Sequence, residues 1–517
     1  MRTNKTLRGI AGAVFCGLGL SLALTVPFQS HTFRIDAGGC RLVTDIVEPP
    51  GQQEGSTPKG YVVLLHGLSA NKRIMSYITA GFASQGLRVL VSDLPGHGRT
   101  DGPFSYEYSD KCSENLVREL IARGLLDPER TILAGHSLGG AIALRVASRI
   151  PVAGVIAFSP APMRPIPGVS AEMMPFQDFG ALPAHSLLMS AAWEPEKIRN
   201  AVKSLLPSPG DGTSEYAVIP RSDHVSILFD ATAMSDAQNW AASVLHLESK
   251  PTLPSHRGVL GFLAGFAGIL LLAGPFLRET LQSKKQASPL AENDSTSAIV
   301  RIFLEYGIVA LGTVGLLSYS NPLRALHLFE ADYFASFLLL LGTVLLVLHW
   351  NSLRTLLSTP TADAQPARSL QFTILIAAFA ALLLLLLITA WFDLTFTEAW
   401  LTASRWARFL PLFIAVLPYH TAEELLLGPP APGKSSRRLL TVLLLRLVAW
   451  GAIVAGFFIL HSGEVLLVLL APSFAIFCLL QTWGMKVVRE VTASPAAAAL
   501  FGAILLAGFC LVVFPTT

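Results

Sequence analysis

The spacing of apolar positions changes character near residue 256. Before it, apolar runs of strand length alternate with amphipathic stretches of helix length. The run YVVLL at 61–65 precedes a helical stretch near 71–85, and LRVLVS at 87–92 precedes one near 109–123. RTILAG at 130–135 leads into a helix near 138–149, and VAGVIAF at 152–158 into a Pro-rich interval. SLLMS at 186–190 precedes a helix near 194–205, and EYAVIP at 215–220 a last one near 225–246. Short apolar strands joined by crossover helices predict an α/β fold, a doubly wound and mostly parallel sheet covered on both faces. Such sheets bind ligands beyond the carboxyl ends of their strands, so chemistry is expected in the residues just after each strand.

After residue 256 the runs are long enough to cross a bilayer, which takes about 20 apolar residues as helix. Candidate spans fall near 257–277, 299–318, 329–349, 370–392, 405–421, 439–460, 464–484 and 496–515, with a further one near 8–28. The stretch LQFTILIAAFAALLLLLLITAW has no polar face, so it does not read as a surface helix of a soluble domain. The span at 405–421 is the weakest of the nine, being short and holding Pro411 and Pro418. The expected layout is an N-terminal anchor over 1–28, an α/β domain over 29–256 and an all-α polytopic domain over 257–517.

Composition agrees with this division. Only 14% of the 517 residues are charged and mean hydropathy is +0.53, against about 25% charged in soluble chains. Residues 1–250 carry 44 of the 73 charged side chains. The net charge of +3 excludes a strongly basic nucleic-acid binder. Basic residues also orient the spans. With a cytoplasmic N-terminus, the inside segments hold Arg2, Lys5, Arg8, Arg278, Lys284, Lys285, Arg354, Arg368, Lys434, Arg437, Arg438, Lys486 and Arg489, while the short outside segments hold Arg324, Arg405 and Arg408. This bias puts 29–256 outside the cytoplasm, in an integral protein of the cell membrane. Residues 26–30 read VPFQS and lack a small-x-small cleavage site, which favours an uncleaved anchor over a secretory signal. That compartment permits disulfides; Cys40 and Cys112 are the two cysteines of the α/β domain, and a bridge between them is possible. Cys16, Cys478 and Cys510 lie in apolar spans and read as packing residues.

The residues after the strands suggest a nucleophile, a base and an acid. After 130–135 comes Gly135-His136-Ser137-Leu138-Gly139-Gly140, a G-x-S-x-G elbow whose glycines allow the sharp strand-to-helix turn. A helix starting behind Ser137 aims its N-terminal dipole at developing negative charge. Serine needs a base, and His224 comes after the strand ending at Pro220. His66 and His97 lie in strand-end loops but precede Ser137, and His31 and His185 lie near strand starts. The base needs a carboxylate to fix its tautomer. Glu194, after the strand 186–190, is the first choice; Glu196 in the first turn of the next helix and Asp223 beside His224 are rivals. An oxyanion needs two backbone N–H donors: Leu138, directly after the nucleophile, and Leu68, in the His66-Gly67-Leu68-Ser69 loop.

The order Ser137, Glu194, His224, the His66-Gly67 pair, the Asp93-Leu94-Pro95-Gly96-His97-Gly98 turn and the GHSLGG elbow resembles the α/β-hydrolase fold family, in its lipase, esterase and serine-aminopeptidase-like branch. The resemblance covers about 40–247. It implies a serine hydrolase that cleaves a carboxylic ester, or an amide or thioester, through an acyl-enzyme, with no cofactor and no metal. Glu in place of the commoner Asp is a departure the family tolerates. The interval 159–185 is short for the family's cap. Met163, Met173, Met174, Phe176 and Phe179 there suit an acyl pocket or a plain lid base equally. Alternatives are an acyltransferase using the same triad, or a transport or sensing protein whose hydrolase-like domain only binds. The expected partners are a small-molecule or lipid acyl substrate and membrane lipid, and no nucleic acid; the sequence names no protein partner.

In the back half, Glu423-Glu424 and Phe457-x-x-x-His461 are similar to motifs of intramembrane glutamic proteases of the CAAX-processing type. Gly428 stands where that pattern has Arg, and the two pieces fall at opposite membrane faces. Arg446 lies inside a span, where a charge calls for a partner. Glu423 or Glu424 is the expected one, in a structural salt bridge or a transport path.

Overall fold

The computed structural model describes residues 2–24, 28–51, 57–164, 181–207, 213–248, 251–281, 296–351, 354, 370–427, 435–461 and 464–517. Met173, Met174, Phe176 and Phe179, and the basic residues Lys284, Lys285, Arg368 and Lys434, lie outside these. The chain forms two compact units.

One unit comprises Gly19–Leu263 together with Phe392–Thr402 and Pro515–Thr517. Its centre is an eight-stranded sheet in the order β1-β2-β4-β3-β5-β6-β7-β8. The strands are β1 (Ser30–Ala37), β2 (Cys40–Val47), β3 (Gly60–Leu65), β4 (Leu87–Ser92), β5 (Thr131–His136), β6 (Gly154–Phe158), β7 (Ser186–Ala191) and β8 (Glu215–Ile219). Strands β3 to β8 are parallel, and the β1–β2 hairpin adds antiparallel to the β4 edge. The parallel strands match the apolar runs of the sequence, because burial on both faces leaves no polar position in β3, β5, β6 or β7 exposed. The hairpin is not among the elements that the apolar pattern predicts. Its first strand, SHTFRIDA, is mostly exposed and polar, as an edge strand is, and gives no apolar run.

Beyond α1 (Arg2–Ala23), most of which belongs to the other unit, the helices here are α2 (Ser76–Ser84), α3 (Tyr106–Ala122), α4 (Leu138–Ala147), α5 (Glu196–Lys203) and α6 (Ala231–Val244). α2 packs with α6, and α4 with α3. The core under α2 and α6 is built from Val62, Leu64, Ile78, Phe82, Val89, Ile132, Ile156, Met189 and Trp240. A Cys40–Cys112 disulfide ties β2 to α3 across 72 positions.

The other unit comprises Met1–Leu18, Ala264–Trp391 and Ala403–Phe514 and is helical. Its main helices are α7 (Arg257–Thr280), α8 (Thr296–Leu317), α9 (Ala331–Leu348), α10 (Leu370–Thr395), α11 (Ala403–Ala407), α12 (Phe409–Leu426), α13 (Ser435–Leu460), α14 (Val465–Leu469), α15 (Ala471–Thr492) and α16 (Pro495–Val513). Among the described residues, eight helices, α1 included, are long and apolar enough to cross a membrane, which fits a membrane protein. The sixth candidate, 405–421, departs from expectation. It is broken at Arg408 into α11 and α12, and the polar run Tyr419-His420-Thr421-Ala422-Glu423-Glu424 at the end of α12 lowers its apolar character. Arg446 binds Glu423 through two hydrogen bonds of 2.9 and 2.8 Å and Gln481 at 2.7 Å. Glu424 pairs instead with Arg438 at 3.3 Å and with Arg489. Of the cysteines outside the disulfide, Cys510 is buried and Cys16 and Cys478 are half-buried.

Candidate active site

The sheet delivers its functional side chains at the carboxyl ends of β3, β5 and β7 and just beyond β8. At the end of β5 the chain reverses into α4 through Ser137, whose φ of 52° and ψ of −118° are unusual for a residue with a side chain. Such a conformation costs about 1–3 kcal/mol and persists only when its surroundings impose it. Here they do. Ser137 N–H donates to Phe158 O at 3.0 Å, and its carbonyl accepts from Ala161 at 2.9 Å. A Cβ on Gly135 would lie 2.3 Å from the Gly139 carbonyl, and one on Gly139 2.3 Å from Leu65 O. The two glycines of the motif are therefore required by backbone-to-backbone contact.

This turn presents the Ser137 hydroxyl 2.9 Å from His224 Nε2. His224 Nδ1 lies 2.6 Å from Glu194 Oε1. The second carboxylate oxygen, Glu194 Oε2, accepts the Ala191 N–H at 2.9 Å, which fixes the carboxylate at the end of β7. Glu194 is buried while His224 is about one-third exposed. The rivals stand elsewhere. Glu196 opens α5. The Asp223 carboxylate accepts the N–H groups of Val225 and Ser226 at 2.9 and 2.8 Å, closing its own turn. Burial acts upward on the Asp223 carboxyl, but those two donors outweigh it and leave it below the usual range.

Leu138 is the first residue of α4, so its N–H has no intrahelical acceptor. Leu68 comes after Gly67 in the loop that leaves β3. A Cβ on Gly67 would lie 3.1 Å from Ser137 Cβ and 2.8 Å from His136 Nδ1, so this loop lies directly against the elbow. Gly67, the neighbour of Leu68, thus lies against Ser137, and Leu138 follows Ser137 directly at the start of α4. In this geometry an imidazole can take the hydroxyl proton while a carboxylate holds the opposite nitrogen, and the N–H of Leu138 opens the helix directly after the nucleophile.

Three further histidines brace the site, and the ring of one, His136, lies beside that of His224 with centroids 4.9 Å apart. His136 donates from Nε2 to the His224 carbonyl at 2.7 Å, fixing the loop that carries the imidazole. Burial, reinforced by neighbouring His224, lowers its pKa to about 3. His66, fully buried, accepts the Leu94 N–H at Nε2, 2.9 Å away, and its Nδ1 meets Gly67 O at 2.8 Å. Burial lowers its pKa to about 4. His97 Nε2 accepts the Ser69 N–H at 3.2 Å. The sequence placed these histidines in or beside strand-end loops but carried no sign that they hold loops in place.

A buried ionic cluster lies beside the same loop. Lys72, 2% exposed, donates to Asp93 Oδ2 at 3.0 Å and to Glu398 Oε1. Burial pulls the Lys72 ammonium down, but Asp93, Glu398 and Asp45 outweigh it and raise its pKa. No sequence motif marks these four residues together as part of a site.

Residues 62–255 match the alpha/beta hydrolase family. Over 97 residues the chain is 37% identical to an uncharacterised protein of Mycobacterium tuberculosis, a match covering 19% of this chain and 27% of that protein. It is 30% identical over 125 residues to a monoacylglycerol lipase of Mycolicibacterium smegmatis, covering 24% and 42%. Among solved structures, an esterase from the bacterial hormone-sensitive lipase family aligns over 46% of this chain and 99% of its own, with 14% identity and a TM-score of 0.33. The chain thus spans only about a quarter of the length of the Mycobacterium tuberculosis relative. On the family match and the observed strand order, residues 62–255 of this chain form an alpha/beta hydrolase domain.

Proposed function

We propose that this chain is a membrane-embedded serine hydrolase that cleaves a carboxylic ester through an acyl-enzyme. The observation that carries the reading is the unbroken line from Ser137 Oγ through His224 to Glu194, at 2.9 and 2.6 Å. In the first half-reaction Ser137 Oγ bonds to the ester carbonyl carbon while His224 Nε2 takes the hydroxyl proton. The carbonyl oxygen becomes an oxyanion between the N–H groups of Leu68 and Leu138. The intermediate collapses, the C–O bond to the alcohol breaks, and His224 returns its proton to the departing oxygen. Water then repeats the sequence on the acyl-enzyme and releases the acid. Glu194 holds His224 with its proton on Nδ1 and stabilises the imidazolium. This chemistry needs no metal or cofactor.

Two exposed apolar side chains flank the triad in sequence: Trp193, 68% exposed, beside Glu194, and Val225, 58% exposed, beside His224. They suit an acyl chain or a lipid surface and favour a lipidic ester as substrate. The eight apolar helices support residence in a membrane. The Cys40–Cys112 bridge and the distribution of basic residues support an extracytoplasmic hydrolase domain.

The test is labelling of the full-length protein in membranes with a fluorophosphonate probe, and then hydrolysis of monoacylglycerol and p-nitrophenyl esters. The reading requires labelling that Ser137→Ala abolishes. No labelling of the wild type, or labelling that survives the substitution, overturns it. Retention of full cellular activity by the Ser137→Ala protein would turn the reading toward ligand sensing. Acyl transfer to an added alcohol acceptor would mark an acyltransferase.

A further inference from the structure

The hydrolase unit is completed by a stretch of chain from far beyond it. Residues Phe392–Thr402 belong to the same compact unit as the sheet. They meet the hydrolase fold in two places. At the first, the Asn71 side chain donates to Thr397 Oγ1 at 2.7 Å and accepts the Glu398 N–H at 3.1 Å. Glu398 itself, 7% exposed, pairs with Lys72 and reaches Arg99 at 3.5 Å, while Asp393 pairs with Arg99 at 2.9 Å. At the second, Phe396 stacks on Phe229, with ring centroids 6.0 Å apart, and on Phe262 at 4.5 Å.

Both places adjoin the triad. Asn71 and Lys72 end the loop that begins with His66 and Gly67 and carries Leu68. Phe229 ends the short turn Ser226–Phe229 just after His224. Within the first loop, Ala70 N–H closes on Gly67 O at 3.1 Å and Lys72 N–H binds Asp93 Oδ1 at 2.8 Å. A displacement at Asn71 or Lys72 is therefore passed along a short, hydrogen-bonded loop to the N–H of Leu68. A buried carboxylate that served only to tie two chain segments together would not need to lie at this point. Isolated buried ion pairs are poor sources of net stability against an apolar replacement, so a buried lysine with three carboxylates around it calls for a geometric role.

We infer that Phe392–Thr402 is a strap that sets the position of the oxyanion loop, with Glu398 and Thr397 as its positioning residues acting through Lys72 and Asn71. The inference rests on the serine-hydrolase reading and extends it: the end of α10 and the residues that follow it hold the hydrolase site in register. Neither residue touches substrate. Glu398 also faces Asp93, Lys72 and Arg99, with Asp45 beyond Lys72, Asp393 beyond Arg99 and His66 nearby. Burial among these groups, with Asp93 adding to it, raises the carboxyl of Glu398 to about 7. The full negative charge of the strap's anchor is therefore present only above neutral pH.

The experiment uses full-length protein in detergent or nanodiscs, with p-nitrophenyl butyrate as substrate and fluorophosphonate labelling of Ser137 as a second readout. Complete loss of one oxyanion donor costs about 10²–10³ in kcat, so a displaced donor in Glu398→Gln is expected to cost about tenfold to a hundredfold. KM should stay within about twofold, and Thr397→Val, which only removes the hydroxyl facing Asn71, should cost several-fold. The acid limb of the kcat profile should lose one proton's steepness in Glu398→Gln. A merely structural clip would lower the melting temperature of both variants and leave kcat and its pH profile unchanged; that result overturns the strap. Should Glu398→Gln fail to accumulate, Thr397→Val decides alone by the same split. Failure of the underlying reading is separately visible, because the wild type would then not label at Ser137.

Discussion

Replacing Glu194 by Gln tests the site most directly, since the side chain keeps its size and one of its two hydrogen bonds. In the native protein Oε1 faces His224 Nδ1 at 2.6 Å and Oε2 accepts the buried Ala191 N–H at 2.9 Å. A glutamine has one oxygen for these two donors. With its oxygen toward Ala191, the amide nitrogen faces His224 and donates to Nδ1. The opposite orientation sets NH₂ against the Ala191 N–H and leaves that buried donor unsatisfied, at a cost of about 1–3 kcal/mol. The first orientation therefore prevails by roughly fivefold to 150-fold. It moves the imidazole proton to Nε2, where it points at Ser137 Oγ across 2.9 Å. Two donors then face each other, and the hydroxyl has no base. A wrong tautomer of this kind costs on the order of 10⁴ in kcat, or about 5.4 kcal/mol of barrier. The assay is the rate constant for fluorophosphonate labelling of full-length protein, with ester turnover alongside and a melting curve to show that the variant is folded. A folded Glu194→Gln protein that reacts within tenfold of wild type would refute the argument and remove Glu194 from the triad.

The same contacts carry further expectations. Gly139→Ala would place a methyl group 2.3 Å from Leu65 O and 2.5 Å from His66 O, both backbone atoms, so a loss of about 2–3 kcal/mol or more is expected; an unchanged melting temperature would contradict it. Opening the Cys40–Cys112 bridge by the double serine substitution frees a loop of 72 positions and should cost about 4 kcal/mol, read as a lowered unfolding midpoint and a shifted band on a non-reducing gel. His66 and His136 are held neutral by burial, at about 4 and 3. Their folded values lie below the unfolded one, so their contribution is complete above pH 6.5 and is lost as pH falls. Between pH 6.5 and 4.5 they should together remove roughly 2 kcal/mol of stability per pH unit, and Glu398, raised to about 7, returns about half by binding its proton in the same window. His136→Asn should flatten, and Glu398→Gln steepen, the fall of the unfolding midpoint with acid; no difference in slope among the three proteins would count against the assignment.

How far each feature is legible in the sequence depends on how local it is. The parallel strands β3 to β7 announce themselves because two-sided burial demands unbroken apolar runs, and the elbow around Ser137 because only glycine fits at 135 and 139. The choice of Glu194 over Glu196 is accessible from chain order alone, since a strand-end loop and a helix's first turn face different ways. The β1–β2 hairpin escapes because an edge strand may be polar wherever it meets water. Glu398 leaves no local trace: its partner Lys72 lies 326 positions away, and an isolated Glu in a loop between apolar helices is indistinguishable from a solvated one. The roles of His66, His97 and His136 as braces are equally hidden, because a buried imidazole that binds backbone and one that takes a proton look alike in a string of letters.

Because residues on both sides of α7 to α10 contribute to one folded unit, synthesis imposes a delay on it. At about 5–20 residues per second, the ribosome finishes the sheet and its helices roughly ten seconds or more before it reaches the stretch that carries Glu398. During that interval the nascent hydrolase holds Lys72 and Asp93 without their third partner. Several long apolar helices are also synthesised in the meantime, so completion of the front unit waits on the chain made behind it.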